Sequence, residues 1–328
     1  MATYKEIFGT NIEVVSSDPA NPVLGQVWYN TTTEVVKGLG YASAAWATGG
    51  ALNTARRILA GAGQSTQSAG LVFAGLAPSP SAATESYNGT SWTELNDLSL
   101  ARYGPGGAGT QTAALCFGGR NYPSPPTAVN ESWNGTNWTE VADLGTARYN
   151  LVGVGSQTSA LGCGGYSAPE RQLNESWNGS AWTEVADLNT SARGRNGVGV
   201  DNTSALLFGG RLDPPGNAYS GITESWNGTS WTEVADLNTA RQSVGRGGIQ
   251  TLAVAFGGTA GPASTATEEW NGSSWTTSPV SMNTGRSSMG SSGTSGLALA
   301  GGGWTGALSA ATEEWTGAGP VTVTFTDS

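Results

Sequence analysis

Three kinds of ionisable residue recur down this chain at fixed positions, and together they could supply acid–base chemistry or an anion site. Glu85, Glu131, Glu175, Glu224, Glu268 and Glu313 share one position; Asp97, Asp143, Asp187 and Asp236 share a second. Arg56, Arg102, Arg148, Arg193, Arg241 and Arg286 share a third. Glycoside hydrolysis needs a pair of carboxylates facing one cleft. A catalytic constellation is asymmetric, however, whereas a residue present in every copy of a repeat holds the copies together. Arg102, Arg148, Arg193 and Arg241 are therefore expected to be structural, each guanidinium bonding carboxylates or carbonyls of a neighbouring copy. A ring of Arg lining an anion site is the functional alternative. The chain contains no His, which removes Ser-His-Asp and Cys-His nucleophiles and imidazole metal ligands. No catalytic residue, metal or cofactor is expected, and no enzymatic activity.

The elements that position these residues repeat every 44 to 49 residues between Tyr87 and Trp315. Each copy reads Arg, a Gly/Val-rich stretch, an apolar run ending in Gly-Gly, a Pro-rich loop, then a segment such as TESWNGTSWTEVAD. That period and content mark a β-propeller, one four-stranded blade per copy. In the fullest copy, Gly197–Val200 is the innermost strand, whose small residues suit a crowded axis. Ser204–Phe208 is a second strand buried on both faces. Asn227-Gly228 is a two-residue hairpin turn, which accounts for the Asn-Gly-Ser/Thr sites without glycosylation. Pairing across such turns places Trp133 with Trp138, Trp177 with Trp182, and Trp226 with Trp231 as large fillers between blades.

Composition removes several function classes. A net charge of −10 and a pI near 4.5 argue against nucleic acid and anionic membranes as partners. No apolar run is long enough to span a bilayer. The start, MATYKEIFGTNIEVVSSDPANP, lacks the pattern of a secretory signal. Cys116 and Cys163 fall in the second strands of adjacent blades and are expected to be buried thiols rather than a bridge.

The Gly-Gly after an apolar strand, the aromatic before a short turn and the Trp beyond it resemble the kelch repeat. The matching positions are Ala74-Gly75, Gly118-Gly119, Gly164-Gly165, Gly209-Gly210, Gly257-Gly258 and Gly301-Gly302. Tyr87, Trp133, Trp177, Trp226, Trp270 and Trp315 supply the aromatic. The likeness covers residues 46 to 325 and implies an all-β, kelch-like propeller of four-stranded antiparallel blades. It implies no one function. Six Gly-Gly copies favour six blades. The sixth copy departs, replacing the NGxxW turn with TGAGPVTVTF. Trp46 stands ten residues before Arg56, as Trp92 stands before Arg102, so the segment before the repeats carries at least one outer strand. It either closes the ring on the last copy or forms, with 321–325, an incomplete seventh blade. Residues 26–55 are expected to supply closing strands within a propeller of 26–328, its six repeats running from about 56 to 325.

The loop after Gly-Gly differs most between copies and carries Tyr122, Tyr166, Arg171, Arg211, Asp213, Tyr219 and Trp304. Pro-braced loops bearing Tyr, Trp and Arg on a rigid scaffold are a common form of recognition surface. These seven residues are the expected contacts for a glycan or a protein partner.

Residues 18–46, with GQVWYN, a Thr-rich turn and VVKG, resemble a segment of virion structural proteins of tailed phages, particularly marine ones. That resemblance implies a virion protein, made in the host cytoplasm, that serves as tail fibre, tail accessory or capsid decoration. Residues 1–25 would be an arm docking on other virion proteins, with host-surface glycan as the ligand. Self-assembly is left open. The alternatives are a purely architectural virion subunit, a sialidase-like glycan-cleaving enzyme and a bacterial surface adhesin.

Overall fold

The computed structural model describes residues 12–166, 172–212 and 218–325; its regular elements there are all strands. The chain forms two compact units, one spanning Trp46–Thr316 and the other running to Ala45 and resuming at Gly317. In the larger unit each repeat is an antiparallel sheet. The third copy comprises Val152–Gly155, Ala160–Cys163, Asn174–Trp177 and Trp182–Val185. Its first two strands are buried along their whole length, which is why they read as unbroken apolar or small residues rather than as an alternation. The fourth is largely exposed. Asn178 Oδ1 accepts the backbone N–H groups of Ser180 and Ala181 at 3.0 Å each, fixing the turn that sets Trp177 opposite Trp182.

Six such sheets stand side by side. Their inner strands, Ala60–Gly61, Gly106–Gly109, Val152–Gly155, Asn196–Asp201, Gly245–Ile249 and Gly290–Gly293, neighbour one another in cyclic order, the last against the first. The unit is a β-propeller. The sixth sheet takes its fourth strand, Ala45–Gly49, from before the repeats. The reason is local: without an Asn-Gly turn after Thr316 the last copy has no hairpin of its own, and Trp46 fills the place. Of the expected closing segment 26–55, only this strand closes the ring. Val27–Asn30 and Val35–Ala42 instead lie in the smaller unit, in a sheet with Glu13–Val15 and Gly319–Phe325. There the Asp18 carboxylate accepts from Trp28 Nε1 at 3.0 Å and Asn30 Nδ2 at 2.7 Å, and pairs with Lys37 Nζ at 2.7 Å.

The repeated Arg and Glu meet. Arg148 Nη2 lies 3.0 Å from Glu175 Oε1, and Nη1 donates to Leu173 O at 2.6 Å and Gly164 O at 2.9 Å. Arg56 with Glu85, Arg102 with Glu131, Arg241 with Glu268 and Arg286 with Glu313 lie at 2.9 to 3.0 Å, all buried. Each pair is internal to one blade, not between neighbours as expected: the third strand of a blade returns beside the Arg that precedes its first. The backbone of the Arg makes the crossing. Its carbonyl accepts the N–H of a Gly in the preceding blade: Gly75 to Arg102, Gly119 to Arg148, Gly210 to Arg241, Gly258 to Arg286 and, across the seam, Gly303 to Arg56, at 2.7 to 2.9 Å. In the sixth copy the equivalent Gly-Gly is thus Gly302-Gly303, one residue beyond the pair read from the sequence. The second carboxylate oxygen holds the inter-blade connection, as when Gly145 N donates to Glu175 Oε2 at 2.6 Å.

The fourth copy corrects the expectation for Arg193. Its connection is anchored at Asn189, whose N–H donates to Glu224 Oε2 as Gly145 does to Glu175. Counting on from that anchor, the ion-pair position falls on Ala192. Arg195 reaches into the space instead, its Nη1 2.5 Å from Glu224 Oε1, while Ala192–Arg193 pairs with Arg211–Leu212 in a short ladder.

Between blades the outer Trp packs against a Phe of the preceding blade: Trp138 edge-on to Phe73 at 4.9 Å, Trp182 tilted on Phe117 at 4.7 Å, Trp275 edge-on to Phe208 at 4.9 Å. Trp46 does the same to Phe256 at 4.9 Å. Trp231 and Trp226 share a cluster with Val152, Val154 and Leu161 of the blade before. Trp133, Trp177 and Trp226 are buried, each indole donating to a turn carbonyl of its own blade, Gln111, Gln157 and Asn202. Those turn residues clamp the preceding blade: Gln157 Nε2, for example, donates to Ser132 Oγ at 2.9 Å and to Trp133 O. At the seam Tyr87 replaces the Trp and donates to Glu314 Oε1 at 2.5 Å.

Removing one partner of a buried ion pair strands the other, at a cost of about 3–5 kcal/mol. Arg148→Met is expected to destabilise the ring by that amount in chemical denaturation, and unchanged stability would show the pair to be dispensable. Cys116 and Cys163 are buried and unbridged, and burial pushes their thiols up from 9.0 to about 11 and about 12. Their protonated forms favour the fold below pH 9.0, a contribution lost as the pH rises through the folded values. Near-UV circular dichroism should show alkaline unfolding in that window, with a later onset in Cys116→Ala/Cys163→Ala. An onset indifferent to the thiols would contradict this.

Candidate functional site

On one face of the ring, the residue after each ion-pair position bridges to the residue after Gly-Gly. The bridges are Arg57 with Leu76, Tyr103 with Arg120, Tyr149 with Tyr166, Arg193 with Arg211, Gln242 with Thr259 and Ser287 with Trp304. Two positions that differ from copy to copy are thereby set side by side on a common rim. The next residue of every copy is left-handed: Ile58, Gly104, Asn150, Gly194, Ser243 and Ser288, with φ of 53 to 63°. Their peptides link blade to blade. Ile58 N donates to Ser288 O at 2.8 Å, Ser288 N to Ser243 O at 3.0 Å and Ser243 N to Gly194 O at 2.7 Å. Asn150 N donates to Gly104 O at 2.6 Å and Gly104 N to Ile58 O at 2.9 Å. Gly serves this conformation freely, whereas a β-branched Ile is strained in it.

Inside the peptide collar lies a cavity of about 610 Å³, lined among others by Arg120, Tyr149, Tyr166, Arg193, Arg195 and Arg246. Its inner end is set by one departure from the repeat. The axial position of the inner strands reads Gly61, Gly107, Gly153, Gly197, Arg246 and Ser291. The single long side chain reaches across the axis. Arg246 Nη1 donates to Gly153 O at 2.7 Å and to Gly197 O, and Nη2 to Gly107 O at 3.3 Å, carbonyls of three other blades. Burial holds its guanidinium down to about 10, still cationic at neutral pH. Farther along the axis, Gln64 Nε2 spans from the first blade to Gly199 O at 3.3 Å and to Val200 O in the fourth.

Arg120 organises the rim. Its guanidinium stands 5.3 Å from the Tyr122 ring and 5.5 Å from the Tyr149 ring. Tyr149 packs edge-on against Tyr166 at 5.4 Å and Tyr103 at 5.8 Å. Burial pushes the Tyr103 phenol above its ordinary value, with Arg120 opposing. A second cavity of about 460 Å³ adjoins the first, sharing Gln242, Ser243 and Ser288. Its wall is Trp304, with Arg57 stacked 4.4 Å over the indole, and Thr259, Ser287 and Thr305 add hydroxyls.

Of the residues expected from sequence, Tyr166 and Trp304 line the two cavities. Tyr122 is 65% exposed beside Arg120. Arg211 lies 5.6 Å over Tyr219 on the fourth loop, outside both linings. Arg171 and Asp213 lie outside the described residues. The sequence reading missed Arg57, Arg120, Tyr149, Gln242 and Arg246. Two signals were present: the residue after the repeated Arg varies as much as the loops do, and Arg246 interrupts a run of small axial residues.

No family model matches the chain, and no curated protein matches it. Among solved structures, that of YjhT aligns with 83% of this chain and 99% of its own, at a TM-score of 0.66 and 13% identity. The likeness is one of fold.

A left-handed non-Gly residue costs about 1–2 kcal/mol, which offsets the roughly 1 kcal/mol held by the half-buried Ile58 side chain, so Ile58→Gly should cost no stability. Gly104→Ala should lower it. A thermal midpoint that falls in Ile58→Gly would show the collar to be unstrained.

Proposed function

We propose that the protein is a non-catalytic binding module carried on the virion of a tailed phage, and that its loop face takes host-surface glycans. One observation carries the glycan assignment: two adjoining cavities combine aromatic walls (Tyr149, Tyr166, Trp304) with the hydroxyls and amides of Gln242, Ser243, Ser287 and Ser288. Aromatic faces stack on the apolar faces of sugar rings, and fixed hydroxyls and amides meet their hydroxyl groups. Binding is favoured over cleavage because no Asp or Glu is among the described residues lining either cavity, and glycoside hydrolysis needs a carboxylate pair. The kelch-like repeat supports a display scaffold, and the phage-like segment at 18–46 supports the virion setting. Weak single sites on many copies would supply adhesion through avidity.

A glycan array probed with a multivalent preparation of the full chain tests this. Wild type should capture a defined set of saccharides, and Trp304→Ala and Tyr166→Ala should each lower that signal about tenfold, the equivalent of ~1.4 kcal/mol. Capture of no saccharide, or capture indifferent to both substitutions, would refute it.

A further inference from the structure

The first cavity has a composition opposite to that of the chain. Among the described residues lining it, four are Arg and none is Asp or Glu, in a protein with 14 basic and 24 acidic residues. Arg195 is matched by Glu224. Arg246 and Arg120 are different. Arg246 is 6% exposed, and its hydrogen-bond partners are the carbonyls of Gly107, Gly153 and Gly197, which orient a cation without neutralising it. Three of its five N–H donors are so used, leaving two. Arg120 donates Nε to Ser124 O at 3.1 Å and leans on two Tyr rings. Neither has a carboxylate partner among the described residues. A buried cation without a carboxylate partner is costly, and this one lines a concavity of ligand size.

We infer that the channel mouth is an oxyanion subsite, in which Arg246 at the inner end and Arg120 at the rim receive the carboxylate or sulfate of an acidic saccharide. This rests on the glycan reading above and narrows it. The guanidinium fork suits both oxyanions. The ring hydroxyls would face Gln242, Ser243 and Ser288, and Tyr166 and Tyr149 would flank the sugar. The acidic surface elsewhere repels anions from other sites and makes this one selective.

Isothermal titration of the full chain with glucuronate, glucose 6-sulfate and glucose tests the inference. At least one acidic sugar should bind at least tenfold more tightly than glucose; which of the two does so identifies the oxyanion. Raising the salt concentration should erode the preference, and Arg120→Gln should bring it towards one. Arg246→Met, checked for an intact thermal transition, should do the same; if it does not fold, Arg120→Gln and the salt series remain decisive. Equal binding of glucose would overturn the oxyanion subsite and leave glycan binding standing. So would an acid preference unchanged in Arg120→Gln. Binding of no saccharide here or on an array would overturn both.

Discussion

The ring depends on an Arg that, in five of its six blades, is in two places at once. Its side chain pairs with Glu on the third strand of its own blade, while its carbonyl takes an N–H from the Gly-Gly turn of the blade before. The guanidinium sets the internal angle of a blade, and the carbonyl sets its spacing from the last. Buried ion pairs contribute little net stability against an apolar alternative, but they tolerate few geometries. Five fixed geometries of this kind, with Arg195 supplying the ion pair of the fourth blade, let sheets with small axial residues meet as a ring. Trp packing and the turn amides then fill and clamp the seams.

The fold was legible because a repeat writes its structure several times over. The period, the Gly-Gly turn and the paired Trp gave the blade, its hairpin and its neighbours' contacts. Two details were not legible. Glu175 follows Arg148 by 27 residues, and nothing in that spacing tells whether the strand carrying it returns beside its own Arg or a neighbour's. In the fourth copy one added residue before Ala192 shifts the register, so the aligned Arg193 is not the structural equivalent of Arg148. Arg195 restores the ion pair from three positions on, a substitution that only three dimensions reveal. The site was half visible. Tyr166 and Trp304 stood out on variable loops, but Arg246 hides within a Gly-rich strand where its neighbours are its only contrast.

Regularity and departure divide the labour. Positions filled alike in every blade are spent on holding the ring, and their charges cancel in pairs. Arg246 and Trp304 each occur once at their positions, Arg120 recurs only as Arg211 in the fourth copy, and Arg246, Arg120 and Trp304 line or adjoin the cavities. In a symmetric scaffold the loss of symmetry is itself the pointer to a ligand, because a ring built of equal blades has no structural need of one long cation on its axis.

The outer strand borrowed by the last blade fixes the order of events during synthesis. Ala45–Gly49 leaves the ribosome before any complete blade, yet the residues it joins come far later: Trp46 O meets Asn283, 237 positions on. At ~5–20 residues per second that strand waits on the order of tens of seconds for its place. Until then the nascent arc exposes a blade face at each end, and Thr312–Thr316 lacks its outer partner, an open strand edge of the kind that invites mispairing between chains. Each finished blade shortens the gap but cannot remove it. The ring becomes safe from its neighbours only at the moment it closes.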